Sequence, residues 1–217
     1  MAEAPLLRFA LPDGRPATLL LRDDATVLSI DDALVSSWDL AGRPYALVRE
    51  TGTYRRGLDG GLLRKREATA DAPRLRERLS AAEGQPVVEA ARREAEAALV
   101  ILKGPDWTGH DGSAGAETAD PSGAGHVEGP RDDEAVARLR TIAAMDAAAL
   151  REDAARFLAA SGPVGILPPD QYLALVVRVT EGCSWNACTF CRLYRDVPFR
   201  FKPRDALERH VEALRAE

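Results

Sequence analysis

All three cysteines of this 217-residue chain fall within one short stretch, Cys183-Ser-Trp-Asn-Ala-Cys188-Thr-Phe-Cys191. Scattered core cysteines behave as small hydrophobes, and disulfide frameworks use even numbers of thiols in oxidising compartments. Thiols gathered in one loop point instead to a shared metal centre. Thiolates are soft ligands that select zinc or iron–sulfur clusters over magnesium. Three protein ligands leave one coordination position for something else. The spacing C-x4-C-x2-C is also that of plant-type ferredoxins, whose 2Fe–2S cluster needs a further cysteine downstream, and this chain has none. A zinc-binding interaction module needs four ligands, for which His210 would have to reach back to the loop.

The flanking residues supply the elements that must hold such a loop. Leu173-Ala-Leu-Val-Val-Arg-Val179 is a nearly continuous apolar, β-branched run that predicts a buried parallel strand. Thr180-Glu-Gly182 leads from it into the loop. Beyond the loop, Asp205-Ala-Leu-Glu208 reads as a capping box opening a helix, with Leu207, Val211 and Leu214 on one face. His210 is expected on the surface of that helix rather than as a ligand, and Trp185 is expected to shape the loop. Between Arg192 and Arg204 lie four arginines and Lys202 against one acid, Asp196, which reads as a solvated loop. Strand, loop and helix together form a βα unit with its chemistry at the strand's C-terminal end, where α/β folds place their sites.

Thr180-Glu-Gly-Cys-Ser-Trp-Asn-Ala-Cys-Thr-Phe-Cys191, followed by Tyr194-Arg195 and Phe199-Arg-Phe-Lys-Pro203, resembles the opening of a radical S-adenosylmethionine domain. The likeness covers residues 166–217, and the family's usual spacing, C-x3-C-x2-C, is one residue shorter. The resemblance implies that Cys183, Cys188 and Cys191 each hold one iron of a 4Fe–4S cluster. It implies that the remaining iron binds S-adenosylmethionine, which an electron from the cluster cleaves to methionine and a 5′-deoxyadenosyl radical. It places Phe190 near the adenine and calls for an electron donor such as a flavodoxin or ferredoxin. The implied activity is that of a radical S-adenosylmethionine enzyme or a fragment of one, with its substrate left open. The fold class is then α/β: a mixed α+β N-terminal region, followed by the start of a partial TIM-like barrel. Because the chain stops at Glu217, inside the first helix after the loop, the expectation is a truncated chain that binds a cluster poorly and does not turn over, or one completed by another polypeptide.

The remaining sequence is ordinary globular material, 29% charged and 46% hydrophobic with net charge −5, which disfavours a whole-chain nucleic-acid binder. No run is long and apolar enough for a membrane span, and the first residues do not read as a signal peptide, so a cytoplasmic protein is expected. Residues 1–102 read as a small α+β domain. Leu7, Phe9 and Leu11 alternate, Pro12-Asp13-Gly14-Arg15 turns, and Ala17–Leu21 returns, which predicts a hairpin. Val27–Ile30 and Tyr45–Val48 are further strand candidates. A helix is expected after Asp71 until Gly84 and Pro86 interrupt it, and a second over Val87–Leu102. Asp23-Asp24 and Asp31-Asp32 are expected in solvated turns. Residues 103–131, with seven glycines and three prolines, read as a flexible linker in which His110 and His126 are solvated. Residues 132–165 are expected to form one connecting helix with Val136, Leu139, Ala143, Leu150, Ala154 and Phe157 in a stripe, and residues 166–217 to hold the site.

Overall fold

The computed structural model describes residues 6–68, 73–104, 130–162, 175–189, 192 and 194–215. Most of the expected linker, with His110 and His126, lies outside the described residues, as do Leu173, Phe190 and Cys191. The chain divides into two compact units, residues 1–151 and 152–217.

The first unit is built on an eight-stranded antiparallel meander: β1 (Leu6–Ala10), β2 (Pro16–Leu21), β3 (Thr26–Ile30), β4 (Leu34–Trp38), β5 (Pro44–Arg49), β6 (Gly52–Arg56), β7 (Leu62–Arg66) and β8 (Leu75–Arg78). Each strand pairs with the next in sequence, which short turns permit only in antiparallel order. Asp13 in the first turn accepts from the Arg15 backbone N–H at 3.1 Å, and Asp31 and Asp32 both adopt left-handed φ between β3 and β4. Asp23 and Asp24 are exposed where the Arg22 N–H donates across to the Ala25 carbonyl at 2.8 Å, so both acidic pairs lie in turns, as expected. The protein is mixed α and β, but this sheet is antiparallel throughout and open rather than barrel-like.

Cross-strand register aligns one inner row, Leu7, Leu19, Leu28, Ser36, Leu47 and Tyr54, ending in an Arg64–Glu77 ion pair at the rim. Helix α1 (Ala81–Leu102) covers this face with the small residues Ala91, Ala95 and Ala98, and α2 (Pro130–Ala144) adds Ala135, Leu139 and Ile142. Each fully buried leucine contributes about 1.5–3 kcal/mol. The polar break in the row is compensated. Ser36 Oγ donates to Glu94 Oε2 at 3.2 Å, and Arg49 Nη2 donates to Glu94 Oε2 at 3.0 Å and to Ser36 Oγ at 2.8 Å.

Three sequence expectations need correction here. Leu75 and Leu79 do not begin a helix: Leu75–Arg78 is strand β8, paired to β7. The helix begins after Ser80, whose side chain accepts from the Glu83 N–H while Glu83 returns a bond to the Ser80 N–H. Pro86 then lies inside a single α1 instead of dividing two helices, because the capping box and the apolar face offset the one backbone bond it removes. The expected connecting helix is two, α2 and α3 (Ala147–Ser161). Asp146 Oδ1 accepts from the Ala148 and Ala149 N–H groups, both at 2.8 Å, and so starts a new helix after Met145. Those bonds, Ala149's first, hold the Asp146 carboxyl below its ordinary value.

The second unit contains the rest of α3, a two-stranded antiparallel ribbon of β9 (Thr180–Glu181) and β10 (Arg200–Phe201), and α4 (Arg204–Arg215). The expected buried parallel strand is not found in the described part of Leu173–Val179. Residues 175–179 belong to no strand, and Leu175, Val177 and Val179 are about half exposed, at 49%, 47% and 53%. A central strand needs hydrogen-bonded neighbours on both sides. The contacts described for this segment, the Arg178 N–H to His210 Nε2 and the Lys202 N–H to the Val179 carbonyl, both at 3.0 Å, do not make a strand ladder.

Candidate metal centre

The cysteine loop is closed by backbone geometry at both arms. On the incoming side Thr180 and Glu181 pair with Phe201 and Arg200, and the Lys202 N–H donates to the Val179 carbonyl at 3.0 Å. Arg200 Nε also donates to Glu181 at 2.5 Å, and Arg200 is the main reason the Glu181 carboxyl is held below its ordinary value. The chain then turns at Gly182, with φ of +69°. A Cβ there would stand 2.6 Å from the Val197 carbonyl oxygen and 2.8 Å from that of Pro198. Only glycine meets both demands, left-handed backbone and no side chain.

On the far side Asn186, also left-handed at φ 44°, donates from Nδ2 to the Tyr194 carbonyl at 2.9 Å and to that of Arg195 at 3.4 Å. Asparagine tolerates this conformation better than other side chains. The Val197 N–H closes a turn onto Tyr194 O at 2.9 Å within the return segment, which Asn186 ties to the loop. Gly182 and Asn186 shape the loop, a role that the cysteine pattern alone did not single out. Their signal was present: a glycine immediately before the first cysteine and an asparagine in mid-loop, where left-handed backbone is needed.

Cys183 and Cys188 are half-buried free thiols. The backbone N–H groups of Asn186 and then Trp185 donate toward the Cys183 sulfur and lower its pKa from the ordinary thiol value, against a smaller desolvation effect. Hydrogen bonds to the charged form favour that form, so the loop stabilises a thiolate, the state that ligates metal. Trp185 contributes through its backbone, because its ring is 75% exposed. Among the described residues no three cysteine, histidine or carboxylate side chains are gathered as a metal set. Cys191 and Phe190 lie outside those residues.

His210 corrects another expectation. It is buried, not on the helix surface, at 6% exposure on α4. Its Nε2 accepts from the Arg178 backbone N–H at 3.0 Å, and its Nδ1 faces the Ala160 carbonyl oxygen at 2.8 Å. With both ring nitrogens engaged by backbone, His210 is not placed to complete a zinc site. The basic run is exposed at Arg192, Arg195, Arg200 and Arg204, with Arg204 paired to Glu208, and Lys202 is half-buried. A shallow depression of about 360 Å³ in the first unit, between the β1–β2 turn and α1, is lined by Leu11, Asp13, Arg15, Arg93 and Glu94. It brings no thiol or histidine together, and Asp13 and Arg15 pair with each other. No described helix is long and apolar enough to cross a membrane.

No protein-family model, no curated protein and no solved structure matches this chain.

Proposed function

We propose that Cys183, Cys188 and Cys191 hold a 4Fe–4S cluster whose remaining iron takes S-adenosylmethionine, and that the chain is a radical S-adenosylmethionine protein. The observation that carries this reading is the environment of Cys183: a thiol whose ionised form receives two backbone N–H groups in a loop fixed by Gly182 and Asn186. This fits a soft metal centre, which takes up thiolates and releases protons on binding. When bound, the cluster supplies a low-potential electron for cleavage of the cofactor's sulfonium.

The chain's own residues have simpler tasks. The Asn186 and Trp185 N–H groups favour the charged form of the Cys183 sulfur. The ribbon of β9 and β10 fixes the incoming arm; by the family resemblance Phe190 would pack near the adenine, and the basic residues from Arg192 to Arg204 would meet an acidic electron donor such as a flavodoxin or ferredoxin. The start of a partial TIM-like barrel at residues 166–217 and a cytoplasmic location belong to the same reading. The test is anaerobic reconstitution with iron and sulfide, followed by metal analysis. Bound iron and sulfide in equal amounts are expected, reduced to background in Cys183→Ala, Cys188→Ala and Cys191→Ala variants. Stoichiometric zinc without sulfide, or iron that survives all three substitutions, would reject it.

A further inference from the structure

The incoming arm of the cysteine loop is anchored by a side chain that the metal chemistry does not use. The Arg178 backbone N–H can only donate, so the His210 Nε2 that receives it carries no proton. The Ala160 carbonyl can only accept, so Nδ1 carries the proton and donates. Both contacts hold together in one state alone, the neutral Nδ1–H tautomer. An imidazolium would present a second N–H to the Arg178 N–H and leave that amide without its acceptor.

The consequence reaches the loop through continuous backbone pairing. From Arg178 the chain runs to Val179, held by Lys202, then to Thr180 and Glu181 in the ribbon, then to Gly182 against Val197 and Pro198. Losing the anchor at Arg178 frees the end of a ribbon only two residues long on each strand. Among the described residues, these charged groups lie on the elements around the imidazole. On the extended segment there is Arg178, whose guanidinium lies over Gly162 at the end of α3. On α3 itself Asp153, two turns before Ala160, is buried and paired with Arg156 at 2.9 Å. On α4 the neighbours Glu208, Arg209 and Glu212 are exposed, the first two paired to Arg204 and Asp205.

We propose that His210 is a positioning residue whose neutral imidazole clamps Arg178 and so holds the cysteine loop closed, and whose protonation releases it. The open loop binds one proton more than the clamped loop, so clamping strengthens as pH rises and is lost as pH falls, by up to roughly tenfold per pH unit. The clamp stands on geometry alone, whereas its consequence for a cluster rests on the iron–sulfur reading.

The experiment measures amide exchange protection at Arg178, Trp185 and Asn186 in the metal-free chain, corrected for the intrinsic pH dependence of exchange. Wild type is compared with His210→Gln, which keeps an acceptor near Nε2 but does not titrate, and with His210→Leu. Expected is a loss of protection at all three amides of about tenfold per pH unit at the acid end in wild type, a flat profile in His210→Gln, and low protection at every pH in His210→Leu. A flat wild-type profile, the same acid loss in His210→Gln, or loss at Arg178 without loss at Trp185 and Asn186 would overturn the proposal. Iron content after reconstitution at each pH separates the two readings. Protection as expected with no cluster in any variant supports the clamp and rejects the iron–sulfur centre. Iron that ignores pH and both substitutions while the cysteines remain essential overturns the positioning role and leaves the centre standing.

Discussion

Replacing Gly182 with alanine should open the cysteine loop. Two costs add. Left-handed backbone costs a residue with a Cβ about 1–2 kcal/mol relative to glycine. The new methyl would also stand 2.6 Å and 2.8 Å from two carbonyl oxygens, well inside contact distance. Both belong to backbone, at Val197 and Pro198, so the return segment must shift and its turn onto Tyr194 must strain, at about 1–2 kcal/mol more. A total of about 2–4 kcal/mol corresponds to a roughly 30- to 1,000-fold fall in the closed population. Exchange protection of the Trp185 and Asn186 amides reads that population directly, and reconstituted iron content reads its consequence. Gly14→Ala is the control. It too is left-handed, at φ 84°, but has nothing within 4 Å of the added methyl and lies in the first unit, so it should leave the loop untouched. Protection in Gly182→Ala within about threefold of wild type, under roughly 1 kcal/mol, would refute the claim that Gly182 sets the loop's shape.

Other consequences are equally direct. The Cys183 thiol, lowered by the Asn186 and Trp185 N–H groups, should alkylate with a midpoint at lower pH in the folded chain than in urea. The associated stabilisation is complete above the unfolded thiol's value and lost as pH falls through the lower folded one, and coincident midpoints would contradict it. Glu94→Ala leaves the Arg49 guanidinium, at 11% exposure, without its carboxylate; urea unfolding should show a loss of about 3–5 kcal/mol. The double variant Arg49→Met/Glu94→Leu should recover most of that loss, and no recovery would mean the pair's worth lies elsewhere. Leu139→Ala empties a fully buried position between α2 and the sheet and should cost about 2–5 kcal/mol in the same assay; a loss below 1 kcal/mol would argue that α2 does not share the first unit's core.

Local signals were read well from sequence where they were self-contained. The β1–β2 hairpin followed from Pro12-Asp13-Gly14-Arg15 between alternating apolar residues, and the α1 face followed from Ala91, Ala95 and Leu102. Failures came where two periodicities compete over few residues. Leu75, Leu79 and Ala82 have helical spacing, yet Leu75–Arg78 pairs as a strand, with Glu77 meeting Arg64 across the ladder. The capping box Ser80-x-x-Glu83 was legible and outweighed Pro86 as a boundary. His210 lies three residues after Leu207 and four before Leu214, on the apolar stripe, so its burial was also encoded. The run 173–179 recorded a need for burial but not what would provide it, and Leu175, Val177 and Val179 stand half exposed. The thiols were visible from spacing alone. The backbone N–H groups that make Cys183 a better ligand were not, since they depend on loop conformation.

The most direct test of the central claim is EPR of the reconstituted, dithionite-reduced protein, recorded with and without S-adenosylmethionine. The account predicts a 4Fe–4S signal that changes when the cofactor is added, because one iron has no protein ligand. A 2Fe–2S signal indifferent to the cofactor, or a protein that takes up zinc and forms no cluster, would contradict it.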